Sequence, residues 1–428
     1  IILLIASLLF YFYGEPKYVF LMILEIIIAY IGAILIDKYK NQSKNILIIT
    51  LFIHVFLLII FKYTDFIIQT INDISNANIK LLNIALPIGI SFYTFQIISY
   101  LIDVYNGKVK VQRNIIKLAT YVSLFPQLVA GPIVRYQTIE KELDDRVHSF
   151  NNFAYGIRRF SIGLAKKVLI ANALGELCSK ASATSEETVV FFWIFGISYM
   201  LQLYFDFSAY SDMAIGLGRI FGFNFPENFN YPYISKSITE FWRRWHITLG
   251  AFLRDYVFYP VSLSKANMKL SKFNNSHFGA FLSKFLASAI PLFFVWFLNG
   301  LWHGASEKYI FYGLYYYVIM MIGLLIEPLF RKVPDNKGTN VLKILRTWIF
   351  VIIGMTIFKA DSITDAFNVL KSIFIENSFS ALDFGLTYID FAIIFIYLIV
   401  LFVIGYLEEK GKNVIDSIVL GCGIKNYI

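Results

Sequence analysis

Long apolar segments recur along the whole chain, and they restrict its possible folds more than any other feature of the sequence. They lie at roughly residues 1–13, 17–36, 46–61, 81–102, 118–134, 155–173, 189–205, 208–222, 283–302, 308–328, 343–358 and 384–406. A helix needs about 20 apolar residues to cross a bilayer. Only 16% of the 428 residues are charged, against about a quarter in soluble domains. The pattern predicts an all-α polytopic membrane protein.

Several segments are short, contain proline or glycine, or carry charges, so roughly ten or eleven are expected to span the membrane. The others are expected to be re-entrant or to lie flat, because non-helical backbone at membrane depth must be covered by protein or water. Residues 125–135 contain Pro126, Gly131 and Pro132 inside an apolar run. They are predicted to form a broken or re-entrant element; an ordinary proline kink is the alternative.

No internal repeat or long polar linker divides the chain, so a single transmembrane domain over residues 1–428 is predicted. The first residue is Ile1 rather than Met, and we expect the natural N-terminus to be missing. The net charge is +9, with basic clusters at 38–44, 108–117 and 331–346. By the positive-inside rule these loops are cytoplasmic. The expected location is a bacterial plasma membrane, which the chain crosses many times.

Residues 234–258 are rich in charged and aromatic residues between apolar regions. A helix start is predicted here, with Ser235 or Ser237 as its cap and with Glu240, three residues after Ser237, completing a capping box. On that helix, one face is apolar and the other is a polar stripe. The stripe contains Lys236, Thr239, Arg243, His246, Gly250 and Arg254. One amphipathic, cytoplasm-facing helix is predicted; the alternative is an interfacial helix that Trp242 and Trp245 anchor and whose arginines contact only lipid phosphates.

A second polar centre is the sequence Asn299-Gly-Leu-Trp-His303-Gly-Ala-Ser306 at the end of an apolar run. A histidine at membrane depth usually faces a protein interior or a watery cavity. The surrounding glycines allow a helix or a substrate to approach closely. Histidine suits acyl transfer because its ordinary pKa of about 6.5 lets it take a proton from a hydroxyl near neutral pH. His303 is therefore a candidate catalytic residue; the alternative is a histidine that only hydrogen-bonds between helices.

Two intramembrane carboxylates need partners. Asp206 and Asp212 lie in an apolar run, where unpaired charges are costly. Pairing with Arg243, Arg244 or Arg254 is favoured over a place in an open cavity.

The remaining histidines and the cysteines are predicted to be structural or solvated. His54 stands alone in an apolar span and is expected to make a packing or interhelical contact. His148 and His277 lie in polar loops. Cys178 and Cys422 occur in unrelated contexts, so neither a disulfide framework nor a metal site is predicted.

Four motifs carry a family resemblance. They are Phe125-Pro-Gln-Leu-Val-Ala-Gly-Pro-Ile-Val-Arg135, Asn228-Phe-Asn-Tyr-Pro-Tyr-Ile-Ser-Lys-Ser-Ile-Thr-Glu-Phe-Trp-Arg-Arg-Trp-His246, Arg254-Asp-Tyr256 and Leu301-Trp-His-Gly304. With them the chain resembles the membrane-bound O-acyltransferases, and among these the alginate O-acetyltransferase type. The resemblance implies a ring of tilted helices around a central tunnel, His303 as the essential catalytic histidine and His246 as the supporting one. Lys359 stands where the family often has arginine, and it is left out of the site.

The resemblance further implies an O-acyltransferase, and we expect an O-acetyltransferase that uses acetyl-CoA as co-substrate and holds no cofactor. His303 is expected to act as general base or to carry the acyl group, and His246 to orient or polarise the thioester carbonyl. Arg243 and Arg254 are predicted to bind donor phosphates. Asn299 and Trp302 complete the predicted substrate-binding residues.

The expected partners are the cytoplasmic acyl donor, a secreted or membrane-anchored acyl-handling protein, an extracytoplasmic polysaccharide acceptor and membrane lipids, with no nucleic acid. Two alternatives stay open at this point. One is D-alanyl transfer from a carrier protein to teichoic acid. The other is a transporter or lipid scramblase, which the lack of internal repeats disfavours.

Overall fold

The computed structural model describes residues 1–182, 189–330, 333–374 and 387–411. Within these ranges the regular elements are all helices and no strand occurs, which confirms the prediction of an all-helical chain. Arg331 and Lys332, at the start of one predicted basic loop, lie outside the described residues, as does Cys422.

The helices follow one another in the order α1 (Ile2–Gly14), α2 (Val19–Lys38), α3 (Ser43–Ser75), α4 (Ile90–Tyr105), α5 (Ile115–Ser123), α6 (Phe125–Leu128), α7 (Tyr136–Asp144), α8 (Phe150–Ala165), α9 (Asn172–Ser182), α10 (Val189–Ile220), α11 (Ile238–Arg244), α12 (Ile247–Leu253), α13 (Tyr259–Ser262), α14 (Lys265–His303), α15 (Glu307–Phe330), α16 (Lys337–Lys359), α17 (Ile363–Lys371) and α18 (Tyr388–Glu409). Turns of π-helix cover Lys166–Ala171 and Arg254–Phe258, and short 3₁₀ turns cover Lys40–Gln42, Pro232–Ile234 and Ser372–Phe374.

The chain divides into two compact units. The first comprises Ile1–Phe160 and Ser211–Pro226, and the second comprises Ser161–Tyr210 and Glu227–Ile428. Each unit has its own cluster of buried apolar residues. The single domain over residues 1–428 stays a prediction.

Among the residues that the structure describes, five helical stretches are long and apolar enough to cross a membrane. They are Val19–Lys38, Lys40–Ser75, Lys265–His303, Glu307–Leu329 and Lys337–Lys359. Proline and glycine shorten other apolar segments, because a helix interior does not tolerate proline well. The predicted ten or eleven spans, their ring and the tunnel stay predictions.

Residues 125–135 do not form one continuous helix, and the sequence predicted this break. After the four residues of α6 the chain is irregular, and Gly131 adopts a left-handed conformation with φ 94°. Side chains satisfy part of this buried backbone: the Tyr121 hydroxyl donates to the Val134 carbonyl at 3.1 Å, and the Gln127 amide donates to the Tyr121 carbonyl at 2.8 Å. The element is broken rather than kinked, which confirms the first of the two readings.

Four buried polar residues of the first unit form two pairs. His54 on α3 lies with its Nδ1 2.9 Å from Oε2 of Glu25 on α2, and both side chains are fully buried. This confirms the interhelical contact predicted for His54. Asp212 pairs with the Arg159 guanidinium, whose Nε lies 2.7 Å from Oδ1.

Asp206 lies in the second unit, where its Oδ1 is 2.6 Å from Nζ of Lys167. The two carboxylates are therefore paired as predicted, but the partners predicted for them are wrong. Arg244 already has Glu240 at 2.9 Å and Arg254 has Asp255 at 2.8 Å. Local acidic residues satisfy these two arginines, so they contribute no partner to α10.

Candidate active site

A loop rich in asparagine, proline and aromatic residues leads into the site. After the 3₁₀ turn Pro232–Ile234, Ser237 caps α11, with its hydroxyl oxygen accepting from the Glu240 backbone N–H at 3.1 Å. The Glu240 carboxylate in turn accepts from the Lys236 backbone N–H at 2.9 Å. Of the two predicted caps, Ser237 is the one that the structure uses, and its side chain satisfies a backbone donor that a helix N-terminus leaves free.

The single amphipathic helix predicted over 234–258 is wrong. α11 ends at Arg244, and His246 adopts a left-handed conformation with φ 45° and ψ 53° before α12 begins. This conformation is costly for a residue with a Cβ. The preceding loop compensates for the lost helical bonds: Asn230 N–H donates to the Arg244 carbonyl and Ile247 N–H donates to the Asn228 carbonyl, both at 2.9 Å.

The polar stripe nevertheless faces one cavity. The cavity has a volume of about 420 Å³ and lies within the second unit. It is lined by Thr239, Trp242, Arg243, Trp245, His246, Ile247, Leu249, Gly250, Ala251, Leu253, Arg254, Phe258, Leu292, Val295, Trp296, Asn299, His303 and Met320. Of the predicted stripe, Lys236 is the member that lies elsewhere. The break at His246 therefore changes the path of the backbone but keeps the functional side chains together.

His303 is the last residue of α14, and Asn299 lies one helical turn before it. Both line the cavity that His246 lines. The His303 ring packs against Phe358 and Tyr312, with centroids at 4.9 and 5.7 Å. The structure thus brings the two predicted catalytic histidines, which are far apart in the sequence, into one cavity.

His246 is buried and tightly surrounded. Its Nδ1 lies 3.0 Å from Oδ1 of Asn228, and the Phe207 ring stands perpendicular to the imidazole at 4.7 Å. Burial, with a smaller contribution from His303, lowers the pKa of His246 well below its usual value. His246 is therefore neutral at neutral pH. Its Nε2 has no hydrogen-bond partner among the residues that the structure describes.

The predicted substrate-binding residues differ in their surroundings. Arg243 is exposed and lines the cavity, and it makes no ion pair within the described part of the chain. Arg254 also lines it, but its Nε donates to Asp255 at 2.8 Å. Trp302 packs beside the site, with its ring centroid 5.6 Å from that of His246.

Aromatic residues that the sequence analysis did not assign to the site form much of the cavity wall. Trp242 and Trp296 lie with centroids 5.0 Å apart, and the Trp296 ring stacks on Tyr316 at 5.2 Å. Trp245 is buried in the same aromatic cluster, so an anchoring role at the membrane interface is wrong for it. Asn228 was also missed as a functional residue, although it begins the longest of the four motifs.

Comparison with known proteins identifies the family of this chain. The model of the membrane-bound O-acyltransferase family matches residues 108–363, more than half of the chain. The chain belongs to this family. The acyltransferase prediction is confirmed, and the protein is a membrane O-acyltransferase.

Three relatives illustrate the range of this family. The chain is 37% identical to a probable alginate O-acetylase of Pseudomonas aeruginosa, over 87% of this chain and 69% of that protein. It is 34% identical to a peptidoglycan O-acetyltransferase of Helicobacter pylori, over 86% of this chain and 72% of that protein. It is 32% identical to a teichoic acid D-alanyltransferase of Bacillus subtilis, over 63% of this chain and 68% of that protein.

Proposed function

We propose that this membrane O-acyltransferase moves an acetyl group from acetyl-CoA, bound from the cytoplasm, to a hydroxyl of a polysaccharide outside a bacterial plasma membrane. The observation that carries the proposal is the single cavity lined by His246, His303 and Arg243. The two relatives named as O-acetylases of alginate and peptidoglycan support the acetyl group and the polymer class.

In the proposed reaction the hydroxyl oxygen forms a bond to the thioester carbonyl carbon, the C–S bond breaks, and the hydroxyl proton ends on the leaving thiolate. His303 acts as general base toward the hydroxyl or carries the acyl group in between. His246 is the supporting catalytic residue. No carboxylate is among the described residues that line the cavity, so the site suits an anionic donor.

Four further residues bind substrate in this proposal. Arg243 and Arg254 contact the phosphates of the donor, since guanidinium groups bind phosphate oxygens in pairs. Asn299 presents its amide to the cavity beside His303, and the Trp302 ring supports His246. Acetyl-CoA is a co-substrate rather than a resident cofactor.

The proposed partners lie on both sides of the membrane and within it. The donor arrives from the cytoplasm, and a secreted or membrane-anchored protein handles the acyl group on its way to the polysaccharide. Lipids surround the exposed apolar side chains of helices such as α3 and α15.

A second candidate function is D-alanyl transfer to teichoic acid. The similarity to a teichoic acid D-alanyltransferase favours it. The two candidates share the same histidines and differ in the donor, because a D-alanyl group arrives on a carrier protein rather than on CoA.

The test uses the purified protein in liposomes with radiolabelled acetyl-CoA. Alginate, peptidoglycan and teichoic acid fragments are the acceptors, and release of the CoA thiol is followed in parallel. His303→Ala is expected to lower transfer at least about 100-fold, the usual contribution of a positioned base. His277→Gln is the matched control, because His277 is an exposed histidine that lies before the helix break at Gly279 and does not line the cavity. Unchanged turnover in His303→Ala contradicts the site. A parallel reaction supplies D-alanine on its carrier protein, and transfer of D-alanine without transfer of acetyl supports the second candidate function instead.

A further inference from the structure

The amide orientation of Asn228 is determined by its neighbours. Its Oδ1 lies 3.3 Å from the backbone nitrogen of Thr248 and 2.8 Å from the Thr248 hydroxyl oxygen. A backbone N–H can only donate, so the atom that faces it must be the amide oxygen and not the NH₂ group. Orientations of asparagine amides are assigned from such networks. The assignment of Oδ1 here therefore follows from hydrogen-bond chemistry.

The same oxygen determines the tautomer of His246. Nδ1 of His246 lies 3.0 Å from Oδ1 of Asn228. An amide oxygen carries no hydrogen, so the hydrogen of this bond must be on Nδ1. A neutral imidazole with Nδ1–H has an unprotonated Nε2, whose lone pair is an acceptor.

The surroundings of His246 keep it neutral. The titratable and charged side chains that line the cavity with it are His303, Arg243 and Arg254. All three are basic, and the imidazole itself is buried. Burial and neighbouring positive charge both disfavour an imidazolium. Because Nε2 is buried without a hydrogen-bond partner in the described part of the chain, its lone pair is available to a bound substrate.

We propose that Asn228 is a positioning residue that holds His246 in the Nδ1–H tautomer, so that Nε2 of His246 is a proton acceptor during acyl transfer. This rests on the proposed function. A neutral His246 held in this way cannot donate a hydrogen bond from Nε2 to the thioester carbonyl, so it does not polarise that carbonyl as the sequence analysis expected.

In this proposal the hydroxyl proton passes through both histidines to the leaving thiolate. The hydroxyl oxygen bonds to the carbonyl carbon while His303 removes the hydroxyl proton, and Nε2 of His246 receives that proton from His303. The C–S bond breaks, and the leaving thiolate takes the proton from Nε2. An ester and a thiol result, and both histidines return to their neutral forms.

The first test reads the tautomer directly and needs no substrate. The protein is labelled with ¹⁵N-histidine in lipid nanodiscs, and the His246 signals are assigned by their loss in His246→Gln, with His277→Gln as control. We expect a protonated Nδ1 and an unprotonated Nε2 in the wild type, and a mixture of tautomers in Asn228→Ala. A protonated Nε2 in the neutral wild type overturns the proposal.

The second test separates positioning from a merely structural role. In Asn228→Asp the carboxylate still accepts from Nδ1–H but also stabilises the imidazolium, which raises a pKa by about 1 to 3 units. The acid limb of the kcat profile is expected to move to higher pH by a similar amount, with the KM for acetyl-CoA unchanged. Asn230→Asp is the matched control, because it adds the same charge to an exposed residue of the same loop.

Asn228→Ala is expected to lower kcat at least about tenfold at every pH, by the loss of a positioned proton acceptor.

The outcomes separate this inference from the proposed function. If the wild type transfers no acyl group but shows Nδ1–H, the proposed function fails and the proton-acceptor role fails with it, while the tautomer assignment stands. If transfer occurs and the acid limb of Asn228→Asp coincides with that of the wild type, the proton-acceptor role of His246 is wrong.

Discussion

Arg243 and Arg254 both line the cavity but differ in what they already contact. Arg254 pairs with Asp255, whereas Arg243 is exposed and forms no ion pair with another described residue. A phosphate therefore gains more from Arg243, since a hydrogen bond to a charged group contributes about 1.5–3 kcal/mol. Arg243→Ala is expected to raise the KM for acetyl-CoA about tenfold or more, and Arg254→Ala less, in steady-state assays with labelled donor.

The control for these arginine variants is Lys269→Ala, which removes an exposed cation outside the cavity wall. It should leave the KM for acetyl-CoA at the wild-type value. An equal rise in the KM for acetyl-CoA in all three variants points to a general effect of net charge and contradicts a phosphate contact.

His246 also makes stability depend on pH. Its pKa in the folded protein is lowered by burial and by His303, so below the ordinary value of about 6.5 the unfolded chain binds a proton that the folded chain does not. The free energy of unfolding therefore falls as the pH falls from about 6.5 toward the lower folded pKa, by at most about 1.4 kcal/mol per pH unit for one proton. In thermal unfolding in detergent, the thermal midpoint is expected to fall less between pH 7.5 and pH 5.5 in His246→Gln than in the wild type. If the thermal midpoints of the two proteins change equally with pH, His246 does not contribute to the pH dependence of stability.

At the scale of elements, α14 and α15 form a close helical hairpin behind His303. A Cβ on Gly313 would lie 2.3 Å from the Trp296 carbonyl oxygen, and one on Gly300 would lie 2.3 Å from the Tyr309 carbonyl oxygen. Backbone atoms of a packed helix cannot move aside cheaply, so the helices must separate to admit even a methyl group. These glycines set the distance between the helices and thereby the position of His303.

Gly313→Ala is expected to destabilise the protein by about 1–3 kcal/mol and to lower acyl transfer together with the thermal midpoint. Gly323→Ala, on the same helix, is the matched control, because a Cβ there meets nothing within 4 Å. That variant should be neutral or slightly stabilising, since alanine favours a helix over glycine by roughly 1 kcal/mol. Equal thermal midpoints for both variants argue against the close approach.

Between α11 and α12 the sequence pattern was informative about side chains and wrong about the backbone. Thr239, Arg243, Gly250 and Arg254 line the cavity as the helical stripe predicted. The continuous helix failed at His246, because the hydrogen bonds that replace the helical ones come from the loop around Asn228. Periodicity within a segment contains no information about donors and acceptors that arrive from another segment.

At the scale of the whole molecule, the distribution of basic residues predicts an orientation in the membrane. The stretch Lys40–Ser75 is one of the five candidate spans, so its two ends should lie on opposite sides. Gln42→Cys and Asn78→Cys in a Cys178→Ser, Cys422→Ser background test this, with a membrane-impermeant maleimide on intact cells. Asn78→Cys should react directly, and Gln42→Cys only after permeabilisation, because the positive-inside rule predicts a cytoplasmic loop at 38–44. Labelling of Gln42→Cys in intact cells would show that the orientation is the reverse of the predicted one.

The sequence by itself determined the membrane class, the helical structure and the histidines and arginines of the candidate site. These follow from properties that are local along the chain: the length of apolar runs, the 3.6-residue period of the stripe and the unusual occurrence of His303 at membrane depth. Only the tertiary structure decided which residues meet. It paired Asp212 with Arg159 and Asp206 with Lys167, broke the helix at His246, and placed Asn228 against Nδ1 of that histidine. Such contacts join residues that are distant in the sequence, and their energies depend on burial and geometry that exist only after the chain has folded.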